Sequence, residues 1–295
     1  MVKLELDFLP HLKQLEDLTK KPWLVSLFAG EYQSTFRGSG HEFETYEQYT
    51  PEQDAKRIDW IASAKSNKIL MRAFTEERDL TIFTMLDVSS SMFFSSTKKL
   101  KCEYAAELVN SLLFAVIAAG DQAGLLMTST ETKVFVPPKS DKSQYFRLLN
   151  QISTNELYGG QRDLFWGLKQ ILTAKERGVL FIVSDFIRTT REEFEIMGLL
   201  SKKFDIYAFV IRDRFEKFLP SDVNAVCIED PRTHKTIIVN LKQVREEYQM
   251  IMEEDERRLK DQFLQHNVDM ELFYTHHSFE AKLMQFFSHM RRRWK

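Results

Sequence analysis

"TIFTMLDVSSSM" (residues 81–92) opens as a short apolar run and ends in an aspartate followed by serines at alternate positions. Its first seven residues have the length and the aromatic and branched content of a buried strand. Beyond that strand Asp87, Ser89 and Ser91 alternate, so their side chains can point to one side of a turning loop, and three hard oxygens converge. The next segment, "KKLKCEYAAELVNSLLFAVIAAG" (98–120), reads as a long helix. Leu100, Tyr104, Leu108, Leu112 and Ala115 lie on one stripe, and Gly120 closes it. Strand and helix together make one βα unit.

The same alternation runs on to the end of the chain. "AGLLMTST" (123–130) and "KVFVPP" (133–138) read as strands, and "KSQYFRLLNQI" (142–152) and "DLFWGLKQILTAKER" (163–177) as helices. "GVLFIVSDF" (178–186) is a continuous apolar run of the kind buried in parallel sheets. A helix, "REEFEIMGLLSKK" (191–203), and a strand, "FDIYAFVIRD" (204–213), follow. A short pair, "NAVCIED" and "KTIIVN", precedes a helix over 241–266, the strand "VDMELFYT" and a last helix from Phe279. The pattern predicts an α/β fold, a doubly wound and mostly parallel sheet with helices on both faces. Residues 1–79 do not share the alternation and read as a structured N-terminal extension, leaving 80–295 as the α/β domain with a C-terminal elaboration.

Composition narrows the function classes. A chain of 295 residues, 43% hydrophobic, can bury a large core. Its 41 Lys and Arg against 43 Asp and Glu give a net charge of -2, so no global field recommends nucleic acid or an anionic membrane as partner. The tail "RRRWK" is basic only locally. Cys102 and Cys227 have no partner at metal-ligand spacing, and nothing approaches the ~20 apolar residues of a membrane span. The start has no uninterrupted secretory apolar run, and a reduced, cytoplasmic setting is expected. Neither an acyl-transfer elbow, a phosphate-binding Walker loop nor a His-Glu-x-x-His zinc motif occurs. His276 and His277 lack ligand partners at metal spacing.

In open α/β sheets ligands bind at the carboxyl ends of the strands. Asp87 ends one such strand, and "VSDF" puts Asp185 at the end of another. "GGQRDL" supplies a glycine turn before the helix entered by Asp163. Hard oxygens with room for water suit Mg²⁺, or Mn²⁺ or Ca²⁺.

Here the sequence resembles a known family. Asp87, Ser89 and Ser91 match the metal-ion-dependent adhesion motif, Asp-x-Ser-x-Ser, of von Willebrand factor A domains. The upstream residues resemble the bacterial domain-of-unknown-function fifty-eight proteins, usually encoded beside MoxR-type AAA+ ATPases. Those residues are Gly38, Gly40, Glu42 and Phe43, then Asp54, Arg57, Asp59 and Trp60 within "DAKRIDW", then Glu76 and Glu77. The resemblance implies a non-enzymatic adaptor for a MoxR-type ATPase in the assembly or maturation of client complexes. It also implies a metal, held by Asp87, Ser89, Ser91 and Asp185, whose open position takes a client carboxylate.

The departures from that family matter. Glu52, Gln53 and Asp54 replace a Gly-Asp-Asp run, and Glu47 replaces an arginine. Above all, Arg162 stands where the family has a threonine that completes the metal site. A cation about 4 Å from a divalent ion is opposed by roughly 8 kcal/mol at an effective dielectric of about 20. Arg162 therefore either swings out to solvent or takes the metal's place by pairing with Asp87 or Asp185. Ser153 and Thr154 are candidate substitute hydroxyls, and Asp163 a further partner contact or simply a helix-start residue. The "DAKRIDW" cluster, with Ile58 and Trp60 among charges, reads as an ion-paired segment packed against the main domain. Two alternatives stand beside the adhesion-site reading: a metal-free docking module using Arg162, and a Mg²⁺-dependent aspartyl phosphatase. The phosphatase wants a second acid where Ser89 stands.

Overall fold

The computed structural model describes residues 4, 6, 42–50, 55, 58–66, 68–75, 80–220, 223–229 and 236–293. Gly38, Gly40, Asp54, Arg57, Glu76 and Glu77, named above, lie outside these residues.

A six-stranded sheet carries the fold. β3 (Thr81–Asp87), β4 (Gln122–Thr128), β6 (Gly178–Ser184), β7 (Phe204–Arg212) and β10 (Val268–Tyr274) run parallel. β5 (Thr132–Lys139) pairs antiparallel with β4 at one edge, and the order is β10-β7-β6-β3-β4-β5. The helices are α2 (Lys101–Ala118), α3 (Lys142–Ile152), α4 (Phe165–Thr173), α5 (Arg191–Leu200), α6 (Leu241–Gln265) and α7 (Phe279–Arg293). The α/β reading of the sequence holds, and the structure adds the antiparallel edge.

Side-chain alternation along β3 divides the core in two. Ile82 and Leu86 face a cluster with Leu108 and Leu112 of α2, while Phe83 and Met85 face another with Leu168 of α4 and Met197 of α5. Both faces are covered, which is why the strand reads as nearly continuous apolar sequence. α4 ends at Thr173, four residues short of the expected helix end.

The upstream segment forms its own small unit: β1 (Glu42–Gln48) and β2 (Leu70–Thr75) pair antiparallel around α1 (Trp60–Ser66). A second hairpin, β8 (Ala225–Glu229) with β9 (Thr236–Asn240), leads into α6. Among the described residues no helix is long and apolar enough to cross a membrane.

β3 decides where a site can lie. From it the chain moves to β4 and β5 on one side, then to β6, β7 and β10 on the other. In doubly wound sheets such a reversal places the ligand crevice outside the carboxyl ends of the two flanking strands, here β3 and β6.

Candidate functional site

Asp87 closes β3 at that crevice and is buried. Its Oδ1 accepts the Ser89 amide at 2.9 Å, and its Oδ2 accepts the Ser184 hydroxyl, at the end of β6, at 2.5 Å. Ser89 and Ser91 hydroxyls sit 3.1 Å apart, on the loop that the Ser89 amide ties to Asp87. The glycine turn holds this loop in place. Gly159, at φ +121°, donates its amide to the Val88 carbonyl at 2.7 Å, and the Gly160 carbonyl accepts the Ser90 amide at 2.9 Å.

Arg162 does not swing out to solvent. Its side chain is 7% exposed, and its Nε lies 3.9 Å from Asp87 Oδ2. The rest of the guanidinium is held elsewhere: Nη1 donates to Glu193 Oε2 at 3.1 Å and Nη2 to Thr189 Oγ1 at 3.2 Å. Glu193 is anchored in turn by the Leu164 amide at 2.7 Å and the Thr190 amide at 2.9 Å. Thr190 and Glu193 form the capping box of α5, so one cap residue both starts a helix and fixes the arginine.

Asp185 follows β6 and is buried as well. Its partner is a lysine that sequence reasoning passed over: Lys101 Nζ lies 2.9 Å from Asp185 Oδ2 and 2.6 Å from Glu216 Oε1. Asp185 Oδ1 accepts the Ile187 amide at 3.1 Å, and its carbonyl accepts Arg212 Nη1. A signal for Lys101 existed, because it occupies the row of Ala105 and Val109 on α2, both fully buried. A lysine in such a row needs a carboxylate partner.

The two carboxylates are driven in opposite directions. Burial, then the charge of Asp185, pushes Asp87 above the usual carboxylate range against Arg162, Ser184 and Ser89. For Asp185 burial acts in the same upward sense, but the charge and hydrogen bond of Lys101, the Ile187 amide and Arg212 outweigh it and hold the group low.

Other expected participants lie elsewhere. Asp163 accepts the Phe165 amide at 2.9 Å, as a helix-start residue does. Ser153 and Thr154 hydroxyls donate back to the Leu149 and Asn150 carbonyls of their own helix and supply no oxygen to the crevice. Asp59 is buried, accepting the Ile61 and Ala62 amides and the Tyr46 hydroxyl, but Trp60 beside it is 68% exposed. The expected packing of Trp60 against the main domain is therefore not what the structure has: at the first position of the seven-residue helix α1 it faces outward. Glu42 and Phe43 lie on β1.

Each carboxylate already faces a cation, Arg162 for Asp87 and Lys101 for Asp185. Among the described residues no group of three or more His, Cys, Asp or Glu side chains is arranged to hold a metal.

Residues 45–258 match the family described as Protein of unknown function DUF58. An uncharacterized protein of Mycobacterium tuberculosis (strain ATCC 25618 / H37Rv) is 24% identical over 222 residues, 74% of this chain and 69% of that protein. An uncharacterized protein of Mycobacterium bovis matches to the same extent. Solved structures that resemble the chain include the conserved hypothetical protein BatB from Bacteroides thetaiotaomicron, with TM-score 0.47 and 15% identity, over 72% of this chain and 99% of that one. An aerotolerance-related membrane protein from Bacteroides fragilis gives TM-score 0.46 and 12% identity, over 71% and 97%.

Proposed function

Since the chain belongs to the DUF58 family, described only as of unknown function, we propose that it is a non-catalytic interaction module that docks partners at the carboxyl edge of its sheet without a bridging metal ion. The single observation carrying this reading is the pair of internal cations, Lys101 and Arg162, set against Asp185 and Asp87. They supply the positive charge that a metal would supply in a von Willebrand A domain, and they are covalently part of the chain. Nucleophilic catalysis by Asp87 is disfavoured: its carboxylate is buried, spends both oxygens on Ser89 and Ser184, and has Ser89 where a phosphatase needs an acid.

The partner we propose, from the motifs this chain shares with proteins encoded beside them, is a MoxR-type AAA+ ATPase. The chain acts as its cytoplasmic adaptor toward client complexes.

Calorimetric titration with Mg²⁺ and Mn²⁺, beside capture of the ATPase with and without EDTA, tests the proposal. Wild type is expected to give no saturable heat and equal capture in both buffers. Saturable Mg²⁺ binding together with capture lost in EDTA would overturn the metal-independent reading. Arg162→Thr, which restores the family's hydroxyl, serves as the internal control for a site that does take the ion.

A further inference from the structure

A cavity of about 620 Å³ opens between the loop after β6, the end of β7 and α6. Its size falls within the roughly 300–1,000 Å³ of ligand pockets. It also shares walls with the crevice. Arg212 donates to the Asp185 carbonyl, Glu216 is the second partner of Lys101, and Thr189 is held by Arg162.

Its charge is unbalanced. Arg188, Arg191, Arg212 and Arg258 line it against the carboxylates of Glu216 and Asp255. Both carboxylates are taken, Glu216 by Lys101 at 2.6 Å and Asp255 by Arg258 at 3.0 Å. Arg191 has an exposed partner in Glu195. Arg188 makes no ion pair among the described residues. Arg212, 7% exposed, bonds a carbonyl rather than a carboxylate, and its buried Nε has no hydrogen-bond partner among the described residues. Between the arginines the wall is apolar, with Phe186, Phe194, Met252 and Leu259.

We propose that this cavity is the docking pocket for a partner peptide in which a carboxylate stands next to an apolar side chain. The inference rests on the interaction-module reading and names the chemistry the partner brings. Planar guanidinium groups match a carboxylate in bidentate fashion, and the apolar wall between them takes the neighbouring side chain. Because Glu216 and Asp255 are already neutralised, an incoming carboxylate meets unspent positive charge rather than competing anions.

The test uses the full chain. The probe is an acetylated, amidated tetrapeptide of leucine, phenylalanine, aspartate and glutamate, and its control carries asparagine and glutamine instead. Both are titrated into wild type and into Arg188→Ala/Arg191→Ala, two exposed positions whose loss leaves the core intact and Asp255 still paired with Arg258; circular dichroism checks the fold. The acidic peptide is expected to bind wild type and to weaken by at least about tenfold in the double variant and in the amide control. Absence of saturable binding up to about millimolar peptide, equal binding by the double variant, or tighter binding of phenyl phosphate than of the peptide would each overturn the proposal. Capture of the ATPase is measured in parallel. Wild type failing to capture it sinks the adaptor reading, whereas capture by wild type and double variant alike, with no peptide binding, sinks the pocket alone.

Discussion

Asp87 and Asp185 stand at the carboxyl ends of neighbouring strands, the one closing β3 and the other just past β6, both buried, and their environments give them opposite relations to acid. Asp185 is held below the ordinary carboxylate value of 3.8 because Lys101 overcomes the desolvation that pushes it up. A lowered acid contributes stability that is complete above 3.8 and lost as pH falls through the lowered value. Asp87 is raised by burial and then by Asp185, so its ionised form costs stability above its raised value, and the cost is relieved as pH falls toward 3.8. Mild acid should therefore help at Asp87 before stronger acid harms at Asp185. It follows that Asp87→Asn leaves the melting temperature at neutral pH unchanged or higher, because the amide still accepts from Ser89 and can donate to the Ser184 hydroxyl. Asp185→Asn leaves Lys101 with Glu216 alone and should cost about 3 kcal/mol, the lower end for breaking a buried pair. Thermal melts of the two variants from pH 4 to 8 decide the matter, and equal losses at neutral pH would refute the asymmetry.

At the scale of elements, one contact constrains how β3 and β6 meet. Gly178, at φ +151°, opens β6, and a Cβ there would lie 2.0 Å from the Thr81 carbonyl oxygen. Neither backbone can yield, since both strands are locked between neighbours in mid-sheet. Gly178→Ala is expected to cost more than about 3 kcal/mol through strain at a special backbone geometry. A loss under about 1 kcal/mol in urea unfolding would show that the strand pair slides freely. Strands and their loops were legible because period and composition are local: the apolar run of β3, the alternate oxygens after it and the glycine turn at 159–160 all stand where the residues predicted. The cap of α5 was legible in principle, since Thr190 and Glu193 have capping-box spacing, but its hold on Arg162 spans 31 positions. Lys101 reaches Asp185 across 84 positions and Glu216 across 115, which no periodicity encodes. Trp60 misled for the converse reason. An aromatic among charges reads as docked, yet the residue actually buried there is the carboxylate of Asp59, satisfied by the amides of its own helical turn.

For the molecule as a whole, stability is distributed unevenly, and the distribution reaches the cavity. The strands beside the crevice are buried on both faces, whereas α6, 25 residues long, buries only Leu241 and Phe263 among its side chains. Phe263 is the tie to the rest: its ring lies 5.0 Å from that of Phe186 and 5.4 Å from that of Phe194, both of which line the cavity. A long helix with so few buried side chains, tied otherwise by partly exposed polar contacts such as Lys217–Glu256 and Tyr248 to the Glu216 carbonyl, has a route to open without unfolding the sheet. Removing the ring of Phe263 takes away about 3–5 kcal/mol of packing, which an element so sparsely buried has little else to offset. In Phe263→Ala, native-state hydrogen exchange is thus expected to show α6 amides close to unprotected while β3 and β6 amides stay slow, and the acidic peptide should bind weakly because one wall of its pocket has come away. If instead α6 and β3 lose protection together and by the same free energy, the helix and sheet form one cooperative unit. The wall would then be as rigid as the core, and partner docking would require no opening of α6 at all.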